Sequence, residues 1–480
     1  MKKTILLTGG LICSSSLLAQ QKPNIILILA DDMRGTTLEF LDKENVRTPV
    51  LNRLSENCTV FTNAHIMGGS SGAVSMPSRA MLMTGKYLYN LEKQGAVIPE
   101  SHTLIGEVLK EAGYNTFHTG KWHNGKEAFN RCFSSGKDIF FGGMADHWNV
   151  PLFNYDPSGQ YANKRRIIQT PQSNNHVDTL NGEYMYSGKH SVDIFTETAV
   201  EFIEEQKSEQ KPFFLSVCYM SPHDPRSMPD EFLKQYDPEK ITLPGNYMEK
   251  HPFDNGELTI RDEVLAAIPR VKEEVKQHIT DYYAMISHLD CRIGDIIKAL
   301  IANNLYDNTI IIFAADNGLA VGQHGLMGKQ NVYEHSVNVP LMIKPAGSDT
   351  KRYFTDRLCY LIDLYPSICE WTGQPIPESA DGVSLLPVIN GNKMIREHLY
   401  YAYRDFQRGI SDGEWKLIEY RVNGNKHTQL FNLKEDPLET KDLSNEKKQA
   451  KRIKQLQEKM ISLKTETGDK SGFWDFSVNK

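Results

Sequence analysis

Four apolar runs rich in β-branched residues constrain the fold more than any other feature: NIILILA (24–30), YNTFH (114–118), FFLSVCYM (213–220) and NTIIIFAA (308–315). At least three of them are continuous enough to read as strands buried on both faces of a sheet. Helical patterns lie between them, in HTLIGEVLKEAG (102–113, stopped by Gly113), HSVDIFTETAVEFIEEQ (190–206) and a long stretch within 271–303. The alternation predicts an α/β domain with a large, mostly parallel sheet flanked by helices. In such sheets ligands collect beyond the carboxyl ends of the strands.

Each run is followed by polar residues. Asp31-Asp32 follow the first, and Lys121-Trp122-His123 follow YNTFHTG. Ser221-Pro222-His223-Asp224 follow the third, and Asp316-Asn317-Gly318 the fourth. An Asp-Asp pair alone reads as a helix cap or a turn. Joined to Asp316-Asn317 at another strand end, it becomes a set of four hard oxygen donors without cysteine. Such a set suits Ca²⁺ or Mg²⁺ better than zinc.

A second feature is SMPSRAMLMTG, residues 75–85. Ser75 is placed as an N-cap and Gly85 as a helix stop, with Met81 and Leu82 facing a core. If Ser75 caps, Arg79 lies four residues on, toward the same face, where the helix N-terminus also favours an anion.

The remaining chain divides simply. Residues 1–20 have a basic start (Lys2, Lys3), an apolar run and small Ala19, and they read as an export signal. Export places the mature protein in the periplasm or outside the cell. Cys13 sits in a poor lipoprotein box, so release is preferred over lipid anchoring. No other segment is a candidate membrane span. The formal charge of −6 excludes a basic nucleic-acid footprint, and losing Lys2 and Lys3 leaves −8. The six cysteines beyond Cys13 are dispersed, and they read as small buried hydrophobes rather than a disulfide frame. Residues 145–185, rich in Asn, Gln, Tyr, Pro and Gly, read as a long surface excursion. After a main domain over 21–375, the short runs LYYAY, GEWKLIEYRV and HTQLFNL and a charged helix from about Asn445 to Thr465 predict a smaller unit over 376–480. This unit is expected to be an antiparallel sheet with a packed helix.

These motifs together resemble a known family. Ser75-Met76-Pro77-Ser78-Arg79 with Thr84-Gly85 is similar to the Cys/Ser-x-Pro-Ser-Arg core of the type I, formylglycine-dependent sulfatases of the alkaline-phosphatase-like superfamily. Gly113-Tyr114-Asn115-Thr116 with Gly120-Lys121-Trp122-His123 resembles the second signature, with Met76 and Thr119 as small departures. Further matches are Asp31-Asp32, Pro222-His223, Asp316-Asn317-Gly318, Gly322-Gln323-His324-Gly325 with Lys329, and Leu430-Phe431-Asn432-Leu433 with Asp436-Pro437.

The resemblance implies a sulfuric ester hydrolase in which Ser75 is oxidised to Cα-formylglycine (3-oxoalanine). For a serine, it implies a radical-type maturase acting before or during export. One hydroxyl of the aldehyde's hydrate would attack sulfur, and loss of the second hydroxyl's proton would release sulfate. The implied ligands of one Ca²⁺, preferred over Mg²⁺, are Asp31, Asp32, Asp316, Asn317 and the modified Ser75. Arg79 would steady the hydrate, and Lys121 and Lys329 would bind sulfate oxygens. His123 would be the base, and His223, with Lys329, the acid for the leaving oxygen.

The expected substrate is a sulfated sugar of host-type glycans, galactose or N-acetylhexosamine sulfate, cleaved in exo fashion. His324, Glu334, His176 and Arg352 are the expected sugar readers. Two other readings stay open at this stage. One is a formylglycine-dependent phosphodiester or phosphonate monoester hydrolase. The other is an unmatured protein that only binds sulfated glycans.

Overall fold

A computed structural model describes residues 22–167, 176–206, 211–347 and 351–475. The export signal with Cys13, and part of the 145–185 excursion, lie outside the described residues. The four apolar runs become the strands Asn24–Ala30, Asn115–Lys121, Phe213–Cys218 and Thr309–Ala315. They are neighbours in the middle of an eight-stranded sheet. Its order is Tyr353–Thr355, Thr59–Phe61, Leu341–Lys344, Thr309–Ala315, Asn24–Ala30, Phe213–Cys218, Asn115–Lys121, Ser135–Phe140. Only Leu341–Lys344 runs against the others.

The central strands lack alternation because helices cover both faces, and every residue of Asn24–Ala30 and Thr309–Ala315 is buried. The long helix is Lys272–Ala302, and Ser191–Glu205 packs against it. Register carries the four carboxyl ends to one edge. Ala30 pairs with Ala315, Leu29 with Cys218, and Gly120 with Cys218. Gly120 allows this closeness, since it has φ +96° and a Cβ there would lie 2.0 Å from the Cys218 carbonyl oxygen.

The C-terminal unit is a five-stranded sheet of Asn425–Asn432, Trp415–Val422, Gln407–Ser411, Leu399–Tyr403 and Gly68–Gly69. The first four are antiparallel, and helix Ala450–Glu466 packs on them. Two details depart from the sequence reading. Gln407–Ser411 has no alternating apolar pattern of its own, because all five residues are buried between neighbouring strands. Gly68–Gly69 comes from the main domain and pairs in parallel with Ala402 and Tyr403. The six described cysteines are free thiols, five of them buried.

Candidate active site

Ser75 opens the helix Ser75–Thr84, but it does not cap it. Val74 holds the N-cap position and no side chain caps there, so the expected capping role is corrected. The Ser75 hydroxyl instead turns toward the sheet edge, with Oγ 3.0 Å from both Asp31 Oδ1 and Asn317 Oδ1. One turn on, Arg79 donates through Nε to Asp316 Oδ2 at 2.8 Å and through Nη1 to the Lys121 carbonyl at 2.8 Å. Its Nη2 lies 3.5 Å from Asp31 Oδ2. Lys121 Nζ donates to the same oxygen of Asp31 at 2.5 Å. Lys329 Nζ donates to Asp32 Oδ1 and lies 3.3 Å from Ser75 Oγ.

Three buried carboxylates thus face three buried cations. Burial works against the charge of Asp31, yet Lys121 and Arg79 hold it well below the usual carboxylate range. Burial pushes Asp316 up, and Asp31 adds to this. Burial lowers the Lys121 ammonium against the pull of Asp31, whereas Asp32 and Asp31 overcome burial and raise Lys329.

The donor set fits a hard divalent cation. Asp31, Asp32 and Asp316 supply carboxylate oxygens and Asn317 an amide Oδ1 that faces Ser75 Oγ, while Asn317 Nδ2 donates to Asp32 Oδ1 at 2.7 Å. The second Asp32 oxygen, Oδ2, is buried with no hydrogen-bond partner, as a carboxylate oxygen reserved for a cation would be. Ligand atoms of Asp31, Asp32 and His223 lie within 4.8 Å of one another. With the protein's own charges balanced, a divalent ion leaves the site net positive and ready for an anion.

Two histidines complete the pocket. His223 donates from Nδ1 to the Asp224 carbonyl at 2.7 Å, so Nε2 is the nitrogen left for exchange with a ligand; it lies 3.7 Å from Asp32 Oδ2. His123 has φ 74° and a buried Nδ1 without a partner. Burial, then Lys121 and Arg79, hold it well below its ordinary value. Gly143 gives the ring its room, since a Cβ there would lie 2.6 Å from His123 Nε2. The cavity of about 260 Å³ is lined by Ser75, Lys121, His123, His223 and Lys329.

The four expected sugar readers are not brought to this pocket. Glu334 is held by ion pairs to Lys416 at 2.8 Å and His65 at 3.1 Å. His324 stacks on Tyr333 with ring centroids 4.0 Å apart, in a separate cavity beside the C-terminal unit. Arg352 precedes strand Tyr353–Thr355, which runs parallel to the central strands, so it lies at the opposite sheet edge, donating to the Asn52 carbonyl at 2.7 Å. His176 is exposed just before strand Asp178–Asn181, 3.1 Å from Asp178. Arg261, Asp262 and Gln330 do line the pocket and were not legible beforehand. Arg261 and Asp262 sit in a loop with no periodicity, and Gln330 differs from its surroundings only by following Lys329.

Known proteins resemble this chain along most of its length. The sulfatase family model matches residues 23–374, and the model of the N-sulphoglucosamine sulphohydrolase C-terminal region matches 322–466. An ulvan-active sulfatase of Formosa agariphila is 27% identical over 472 residues, covering 96% of this chain and 84% of that protein. A solved structure in complex with its substrate D-glucosamine-2-N,6-O-disulfate superposes with a TM-score of 0.75 at 20% identity, over 94% of this chain and 99% of that one. A phosphonate monoester hydrolase of Agrobacterium radiobacter has a TM-score of 0.72 at 19% identity, over 93% and 96%. The family match spans most of the chain and both signature regions, and the chain belongs to the sulfatase family of sulfuric ester hydrolases.

Proposed function

We propose that the protein removes sulfate from a sulfated sugar, one residue at a time, at a formylglycine made from Ser75 beside one Ca²⁺. The observation that carries this reading is the placement of Ser75. Its Oγ faces Asp31 and Asn317, with the Lys329 ammonium at 3.3 Å, in a small pocket. A cavity of about 260 Å³ falls below the range of roughly 300–1,000 Å³ usual for drug-sized ligands, which favours a single sugar sulfate over a chain segment. Relatives named as sulfatases of amino sugars support a sulfated sugar as the substrate class.

Asp31, Asp32, Asp316 and Asn317 would hold the metal, together with the modified Ser75. When bound, the metal and the aldehyde hydrate supply an acidified nucleophile and a counter-charge for a sulfate oxygen. The chain's own groups do the rest. Lys121 and Lys329 bind sulfate oxygens whose charge grows as the S–O bond breaks. Arg79 stays fixed between Asp316 and the Lys121 carbonyl and keeps the helix start in register with the sheet edge. His223, anchored through Nδ1, presents Nε2 to the leaving oxygen as acid. His123 takes the proton whose loss releases sulfate.

The N-terminal segment supports export to the periplasm or beyond, after a serine-type maturase has acted. Among the described residues no helix is long and apolar enough to cross a membrane.

The test is an assay of the matured protein on a panel of sulfated monosaccharides, sulfated polymers and phenylphosphonate. Sulfate release from monosaccharides is expected. Cleavage of long polymers alone would overturn exo action. Turnover of phenylphosphonate without sulfate release would favour the phosphonate reading.

A further inference from the structure

Arg261 and Asp262 line the catalytic pocket together with Ile260 and Met144, yet the sulfate chemistry uses neither. Both are held firmly. The Asp262 side chain is only 13% exposed, and each of its oxygens has one partner. Oδ1 accepts from Arg261 Nη1 at 3.1 Å, and Oδ2 accepts from Gln330 Nε2 at 2.7 Å. Gln330 Oε1 in turn accepts the Lys329 backbone N–H at 3.0 Å. Arg261 forks over Asp224, the neighbour of His223, with Nη1 at 2.9 Å from Oδ1 and Nη2 on Oδ2. The pair is therefore fixed between the residues next to Lys329 and His223.

The charge of Asp262 helps hold the Lys329 ammonium, but a carboxylate lining the pocket also repels sulfate, and its free acceptor sites do nothing for the anion. Asp262 gains a purpose if the substrate brings a hydrogen-bond donor. A carboxylate accepts about four hydrogen bonds, and the protein supplies only one to each oxygen here. Arg261 keeps its Nε–H and one Nη2–H in reserve, while its side chain stays 43% exposed at the pocket.

We propose that Asp262 and Arg261 read the sugar next to the ester. Asp262 accepts from a free hydroxyl on a carbon neighbouring the sulfated one, and Arg261 donates to an adjacent oxygen of the same sugar. The substrate class is then a neutral sugar monosulfate. A second sulfate at that neighbouring position is rejected by like charge. This inference rests on the carbohydrate reading above.

The experiment compares kcat/KM for sulfate release by matured wild type, Asp262→Asn and Arg261→Ala, with formylglycine content measured for each. The substrates are the best-cleaved sugar monosulfate, its deoxy analogues lacking each neighbouring hydroxyl, and the vicinal disulfate. Wild type is expected to prefer the parent over one deoxy analogue by about 100-fold or more, as sites built around a substrate hydroxyl do. Asp262→Asn is expected to shrink that preference to within about threefold, and Arg261→Ala to reduce it about tenfold. A general disturbance of the sulfate pocket would lower all rates together and leave the preference intact, and that result overturns the proposal. So does a wild type indifferent to every neighbouring hydroxyl, a result that needs no variant to fold. A wild type that cleaves an aryl sulfate but no sugar sulfate sinks the carbohydrate reading and this inference with it.

Discussion

In the proposed reaction Ser75, Lys121, Lys329 and His223 act on different atoms of the ester, and their loss is expected to show in different ways. Ser75→Ala removes the precursor of the nucleophile and is expected to abolish turnover while the helix Ser75–Thr84 keeps its place, because the hydroxyl caps nothing. Circular dichroism beside a sulfate-release assay checks both halves. Lys121→Ala or Lys329→Ala removes a cation aimed at developing charge, and kcat/KM should fall by about 10²–10³. His223→Ala should cost about 10²–10⁴ on a sugar sulfate, whose alkoxide leaves poorly, and far less on an aryl sulfate with an acidic phenol. Equal losses on both would remove His223 from the role of acid. Glycine also acts at this scale. Gly143→Ala presses on the His123 ring and is expected to slow turnover with little change in KM.

At the scale of elements, the sheet edge depends on close backbone approach. Gly120→Ala is expected to destabilise the protein by about 3 kcal/mol or more, because the new Cβ meets the Cys218 carbonyl and φ is positive. Thermal melting would show it. A second element contact carries a pH signature. Asp290, on the long helix, accepts the Val50 and Leu51 N–H groups at the start of helix Pro49–Ser55, at 3.0 and 2.7 Å. Burial pushes its carboxyl up to about 7. The folded protein then keeps a proton that the unfolded chain gives up near pH 4. That contribution is full below about pH 4 and lost as pH rises through about 7. Wild type should therefore lose stability relative to Asp290→Asn between about pH 4 and pH 7, and a flat difference would contradict the raised value.

The parts of the fold and site that were legible are those dictated by uninterrupted burial and by motif. NIILILA and NTIIIFAA announce central strands because nothing polar interrupts them. Asp31, Lys121, His223 and Asp316 announce a site because each follows such a strand. Ser75 was legible as a reactive position and misleading as a cap. A serine before a helix looks the same whether its hydroxyl turns to the backbone or to a carboxylate. Arg261 and Asp262 were not legible, because a loop without period gives no clue to which side chain reaches a distant pocket. Glu334 and His324 were drawn toward the substrate by nearness in sequence to Lys329. Tertiary packing then turned both toward the C-terminal unit.

For the whole molecule, Glu334 is a fastener between the two units. Lys416 on strand Trp415–Val422 is fully buried and pairs with Glu334 and Glu439. Burial works against the charge of Glu334, yet Lys416 and His65 hold its carboxyl far below the usual range. Glu334→Ala takes one of two carboxylates from buried Lys416, which keeps Glu439 at 3.0 Å, and should cost about 1.5–3 kcal/mol, read as a lowered melting temperature rather than a changed KM. A changed KM with unchanged melting would restore a substrate role.

The most direct measurement of the central claim is the mass of the peptide containing Ser75, taken from a preparation whose sulfate-releasing activity is known. Oxidation to formylglycine removes two hydrogens, about 2 Da, and the oxidised fraction should track activity across preparations made with and without a maturase. A fully active protein in which Ser75 is unmodified serine would contradict the account.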